Sequence, residues 1–294
     1  MTDPLPVREI LVTGARGKTG REVVAQLAAR GVRVRAGSSR PGDPSGPVRV
    51  VPFDWDDRST WAPAVRGADA IYLMRPEVAD AGDRVAEVVS KAPGTHVVLL
   101  SEQGVADLPE ASWEGAVERA VTEHADSWTL LRPSWFQQML TDPRFFLAPL
   151  RRDGVLPLTT GGAPIAFVDT RDIAAVAVAA LLHPQESTGV AYEPTGPEPL
   201  TLAEVADLVG AAAGRAVAAV DVPLDDAVAG TPPWLEQVLR GLLLRVRDGV
   251  FARVTDDVQR VTGRPPGSVA QFAREHAGHW RDDLRHQEAR PTTR

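Results

Sequence analysis

The stretch "EILVTGARGKTGREVVAQLAARG", residues 9–31, limits the fold of this chain more than any other. Branched apolar residues open it and read as a short buried strand. Gly14, Gly17 and Gly20 then recur at every third position, and Val23, Val24 and Leu27 make one stripe of a helix. Each glycine has a physical use: the first permits a tight turn, the second lets the backbone approach an anion, the third lets the helix pack on the strand. The anion then meets backbone N–H groups at the positive end of a helix. A P-loop is excluded, because four residues do not separate the two glycines ahead of Lys18. The anion that fits is the diphosphate of a dinucleotide.

The rest of the first half repeats the same unit. Strands are expected at residues 32–37, 48–53, 68–74, 95–101 and 127–133, with helices at 58–67, 81–92 and 111–124 between them. Six strands with helical crossovers predict a doubly wound parallel sheet, the Rossmann-type α/β fold. After residue 135 the rhythm changes. Residues 163–183 read as a strand entering a helix capped by Asp169 or Thr170, and 201–214 as a helix opened by the capping box Thr201–Glu204. A strand at 216–223, a long amphipathic helix at 232–249 and two shorter helices follow. The expected organisation is a dinucleotide-binding domain over residues 1–135, to which later segments can return. A smaller, mostly helical substrate lobe follows over 136–280, then a disordered tail over 281–294.

The end of the second strand selects the dinucleotide. A carboxylate there holds the ribose hydroxyls of NAD, whereas cations accept the 2′-phosphate of NADP. Here the residues are Ser38, Ser39 and Arg40, with no acid before Asp43, and Arg16 in the glycine turn adds a second guanidinium. NADP(H) is the expected cofactor.

Composition narrows the chemistry. The 294 residues carry a net charge of −7, with no basic run that would serve a nucleic-acid surface. There is no cysteine, which removes thiol catalysis and disulfides. No apolar run reaches the roughly 18 residues of a membrane span, and the first residues lack a signal-peptide core. A cytoplasmic protein, monomer or homodimer, with a small hydrophobic substrate is expected. No metal site is expected either, His276 and His279 beside Glu275 reading as a solvated face.

The segments "VTGARGKTG", "VVPFDWDD", "ADAIYLMRP", "HVVLLSEQG", "WTLLRPSWFQQML", "AFVDTRDIAAVAVAALL" and "TDDVQRVTGRPPGSVAQFAREHA" occur in one order. In that order they resemble the NmrA-like group of atypical short-chain dehydrogenase/reductases. Within it, "FDW" and "LLRPSWFQQ" are similar to the ergot-alkaloid-type iminium reductases, and NAD(P)H:quinone reductases are also related. The resemblance implies adenine contacts from Asp54 and Trp55, and a cofactor-facing loop at Leu73, Met74 and Arg75. It also implies a nicotinamide end near Ser101 and residues 133–136. In the first turn, Gly14, Arg16, Gly17, Lys18 and Thr19 are the candidate phosphate contacts. Two positions depart from the family pattern: Arg16 replaces a threonine, and Ser39 stands where the phosphate-reading arginine is usual.

The wider superfamily donates a proton through Tyr-x-x-x-Lys. Tyr72 is followed four residues on by Pro76, and Tyr192 by Gly196, so neither tyrosine has that lysine; Glu110 and Glu114 occupy roughly the expected positions. Two readings remain open. One is a reductase of an acceptor that needs little protonation, an iminium or a quinone, with Trp135, Phe136, Gln137 and Met139 lining its pocket and Ser101 or Glu102, the nearest polar groups, as candidate catalytic proton donors. The other is a non-catalytic NADP(H)-binding redox sensor.

Overall fold

Strands form where branched apolar residues cluster, and each is short. The computed structural model describes residues 9–40, 42, 46–109 and 111–281. The first half runs β1 (Glu9–Val12), α1 (Gly20–Ala29), β2 (Arg33–Ser38), β3 (Val48–Pro52), α2 (Trp61–Val65), β4 (Ala70–Met74), α3 (Ala81–Ser90), β5 (His96–Leu100), α4 (Trp113–His124) and β6 (Ser127–Leu131). Next come α5 (Leu147–Asp153), β7 (Val155–Leu158), α6 (Thr170–Leu182), α7 (Pro184–Ser187), β8 (Val190–Tyr192), α8 (Leu202–Ala213) and β9 (Ala218–Asp221). The chain ends its described part with α9 (Leu224–Val228), α10 (Pro233–Arg247), α11 (Asp257–Thr262) and α12 (Val269–Glu275).

Seven strands pair in the order β3-β2-β1-β4-β5-β6-β8, every pair parallel. The doubly wound sheet read from the sequence is therefore present. The order reverses between β1 and β4, so a crevice opens beyond their carboxyl ends, at the glycine turn. Side chains alternate across the sheet. Ile10 and Val12 join Val23 and Leu27 of α1 and Ile173 and Ala177 of α6 on one face. Leu11 joins Trp61, Val85 and Val117 on the other.

α5, β7, α7 and α9 are additions to the sequence reading, and two further features of the sheet depart from it. Residues 163–169 form no ladder of their own: Ile165 pairs with Leu200 and Val168 with Phe136 as isolated bridges, and Ala166 N–H donates to Phe251 O at 2.8 Å. The segment crosses three different neighbours, so its apolar run is satisfied without one strand partner. The seventh strand, β8, has only three residues, too few for a periodic signal. Asp169 caps α6 through Arg171 N–H, and Thr201 and Glu204 form the capping box of α8.

A second core joins α5, α8, α10 and α12 to the two-stranded parallel pair β7–β9, through Leu150, Leu156, Val205, Val246 and Phe272. The expected disordered tail falls, from residue 282 on, outside the described residues. Among the described residues, no helix is long and apolar enough to cross a membrane, and no group of three His, Asp or Glu is placed to hold a metal ion.

Candidate functional site

The glycine turn is built for close approach. Gly14 has φ +58°, and a Cβ there would lie 2.7 Å from Met74 Sδ; one on Gly20 would collide with the Gly14 carbonyl. Gly17 N–H donates to Gly14 O at 2.8 Å, which closes the turn. Thr19 precedes α1 but its side chain makes no cap; within the first turn, Arg21 N–H donates to Gly17 O at 3.2 Å.

Beside this turn lies a crevice of about 580 Å³, lined by Gly14, Arg16, Gly17, Ser38, Ser39, Arg40, Asp54, Trp55, Met74, Arg75 and Arg144. Its far wall is held locally. Asp54 N–H donates to Thr60 Oγ1 at 3.0 Å, Trp61 Nε1 donates to Asp54 O at 2.7 Å, and Trp55 packs edge-on between Phe53 and Trp61. Arg16 reaches Arg40 O at 3.4 Å, so the two arginines share one rim.

Met74 and Arg75 also line a second, largely apolar cavity of about 260 Å³ with Ser101, Glu102, Ser134, Trp135, Phe136, Met139 and Phe251. The two cavities adjoin at the carboxyl end of β4. Trp135 meets Phe251 edge-on at 6.1 Å, so the lobe supplies part of the wall. A separate cavity of about 1150 Å³ lies along α1, α6 and α11, shares none of these residues and is lined by mixed charges.

Two clusters of paired charges border the second cavity, one on Glu102 and one on Glu118. Burial pushes the Glu102 carboxyl up, but the guanidiniums of Arg75 and Arg245 outweigh it and hold the group below the usual carboxylate range. Arg75 Nη2 donates to it at 2.6 Å, and Arg245 donates from α10. Arg75 also lies over the Trp113 ring at 4.7 Å. Ser101 Oγ donates to Glu118 Oε1 at 2.5 Å, and Glu118 in turn takes Arg132 Nε at 2.9 Å and Nη2 at 2.6 Å.

Most of the expected residues converge on these two adjoining cavities, but four do not. Leu73 is fully buried on the opposite face of the sheet, because alternation along β4 sends it toward α3. Thr19 is buried and accepts from Tyr72 OH at 2.8 Å. Lys18 pairs with Asp142 and lies 4.3 Å over the Phe145 ring, in a neighbouring cationic cavity. Gln137 turns away from the pocket and donates to Phe167 O at 3.0 Å and Gly267 O at 2.9 Å. Glu102 also loses its expected part as a polar group free to give a proton, since two guanidiniums hold it ionised. The residues that sequence reasoning missed are Arg144, Glu118, Arg132 and Arg245. Arg132 and Glu118 lie 14 positions apart and Arg245 and Glu102 lie 143 apart, beyond any local spacing signal, whereas Arg144 pairs with Asp142 two positions away.

Neither tyrosine lines either cavity. Tyr72 is completely buried, which pushes its phenol well above the ordinary range. Tyr192 lies beneath Arg260, against the outer cavity. Glu110 lies outside the described residues, and Glu114 stands 3.4 Å from Arg245.

The turn geometry, the uncapped helix end and the size of the crevice fit a dinucleotide. Comparison with known proteins agrees. Residues 6–240 match the NmrA-like family. The chain is 33% identical over 282 residues to the uncharacterized oxidoreductase YesF of Bacillus subtilis, covering 92% of this chain and 96% of YesF. It is 35% identical over 280 residues to a (4-alkanoyl-5-oxo-2,5-dihydrofuran-3-yl)methyl phosphate reductase of Streptomyces griseus, covering 91% and 98%. Festuclavine dehydrogenase easG of Aspergillus fumigatus is 30% identical over 295 residues, covering 92% and 98%, in line with the narrower resemblance. The fold is that of the NADPH-dependent quinone oxidoreductase QOR2 from Escherichia coli, at TM-score 0.74 and 20% identity over 90% of this chain and 99% of that one. With a cradle for a diphosphate opening onto an apolar cavity, and relatives named as oxidoreductases over nearly its whole length, this chain belongs to the NmrA-like family and is an NAD(P)-dependent oxidoreductase.

Proposed function

We propose that the protein uses NADPH to reduce a flat, hydrophobic, conjugated acceptor, an iminium or a quinone-like compound. The observation that carries this reading is the apolar cavity of about 260 Å³ that adjoins the dinucleotide crevice at Met74 and Arg75 without a tyrosine in its wall. Bound NADPH supplies the hydride. The amides of the glycine turn hold its diphosphate, Asp54 and Trp55 flank the adenine, and Ser38, Ser39, Arg40 and Arg16 receive the 2′-phosphate. Trp135, Phe136 and Met139 exclude water and orient a planar ring against Met74. An acceptor of this kind asks little of a proton donor: an iminium becomes a neutral amine directly, and a quinone becomes a phenolate that water protonates. Relatives named for a quinone, a dihydrofuranone and festuclavine support a conjugated acceptor. The test is NADPH oxidation, followed by absorbance, with quinones, cyclic iminiums and simple ketones. Turnover of the first two classes and not the third is expected; turnover of simple ketones, or of none of the panel, overturns the reading.

A further inference from the structure

What Ser101 presents to the apolar cavity follows from one hydrogen atom. A serine hydroxyl has a single hydrogen and two lone pairs. The hydrogen of Ser101 is committed to Glu118 Oε1 at 2.5 Å. Glu118 is acceptor-only, and Arg132 grips it with two prongs at 2.9 and 2.6 Å, which fixes the carboxylate. Ser101 and Glu118 are 6% and 7% exposed, so water does not compete for that bond. What Ser101 can offer the cavity is therefore lone pairs. The adjacent Glu102 is already engaged on both oxygens, by Arg75 on one and Arg245 on the other.

We propose that the Arg132–Glu118 pair makes Ser101 a hydrogen-bond acceptor toward the cavity, so that the site selects an acceptor carrying an N–H group, a protonated imine, over a carbonyl compound. This rests on the reading of the cavity as the acceptor site and narrows it. A carbonyl oxygen set against Ser101 Oγ faces lone pair against lone pair. An iminium N–H donates to Ser101 Oγ, whose own hydrogen is fixed on the Glu118 carboxylate. Hydride addition at the imine carbon moves the C=N electron pair onto nitrogen. The product is a neutral amine that keeps its N–H, so Ser101 gives up no proton. Glu118 and Arg132 are positioning residues here, acting through Ser101.

Calorimetry on the NADP⁺-loaded protein tests this without turnover. The probes are protonated dihydroisoquinoline, its N-methyl salt, which has the same flat ring and no N–H, and naphthoquinone. The native protein is expected to bind the N–H cation about tenfold tighter than the N-methyl cation, the worth of one such hydrogen bond. Ser101→Ala, which leaves the Glu118–Arg132 pair intact, is expected to remove that preference while leaving the NADP⁺ dissociation constant unchanged. The double variant E118M/R132M removes the pair as a unit, leaves no lone buried charge, and frees the hydroxyl to donate; naphthoquinone is expected to bind about tenfold tighter. Absence of the N–H preference in the native protein, its survival in Ser101→Ala, or weaker NADP⁺ binding in place of a changed preference overturns the proposal, as does unaltered naphthoquinone binding in the double variant. Failure of the acceptor panel to turn over is a separate result, which strikes the reductase reading while this binding preference is still measured.

Discussion

Arg245 reaches from α10 of the lobe to the carboxylate of Glu102 at the end of β5, the group that Arg75 holds from β4 at 2.6 Å. One half-buried carboxylate thereby ties the lobe to the sheet, at the edge of the cavity where the acceptor is proposed to sit. Removing Arg245 leaves Glu102 half-compensated. Arg245→Met is expected to lower stability by about 3 kcal/mol, read from denaturant melts at neutral pH.

The same carboxylate gives a pH signature. Its pKa in the folded protein lies below the usual range, so folding favours its ionised form. The stability it contributes is present above a pH of about 4.3, and it is lost as the pH falls through the folded value. Glu102→Gln should therefore cost stability at pH 7, and the gap to the native protein should narrow below about pH 4. A gap that stays constant across that range contradicts the assignment.

Gly20 carries the packing half of the turn. A Cβ there runs into the Gly14 carbonyl and lies 2.8 Å from its carbon, backbone that cannot swing aside. Gly20→Ala is expected to cost about 3 kcal/mol and to weaken dinucleotide binding along with it. Thermal melts with and without NADPH separate the two effects.

Arg40 stands exposed beside Ser38 and Ser39 on the crevice rim. If it receives the 2′-phosphate, Arg40→Glu raises the dissociation constant for NADPH by about 30-fold, the worth of one charge-assisted hydrogen bond, and leaves that for NADH within about twofold. Fluorescence titration of both cofactors reads the ratio; equal losses for the two would remove Arg40 from that part.

Asp169 serves three partners at once. It accepts from Arg171 N–H at 2.8 Å, from the Arg171 guanidinium at 2.6 Å and from Gln138 Nε2 at 2.8 Å. Burial raises its carboxyl and these contacts bring it below the ordinary range. Asp169→Ala removes the α6 cap together with a buried network and is expected to cost about 3 kcal/mol. Asp169→Asn, which keeps a capping oxygen, should cost less than half of that in the same melts.

What the sequence alone determined was what local periodicity records: the six strands of the parallel sheet up to β6, the glycine turn, a cap for α6 at Asp169 or Thr170, the capping box at Thr201, and the cluster from Ser38 to Arg40. Such features depend on neighbours a few residues away, and a linear pattern records them. Tertiary structure decided the direction of single side chains and the partners of charges. Leu73 and Met74 are consecutive, yet pleating buries the first under α3 and turns the second into the crevice. Residues 163–169 have the composition of a strand, but three separate neighbours claim their backbone. Ser101, Glu118 and Arg132, and likewise Glu102 and Arg245, meet only because the sheet and the lobe bring distant segments to one edge. An arginine's sequence neighbours do not specify which carboxylate it will meet, since Coulomb attraction acts through folded distance and not along the chain.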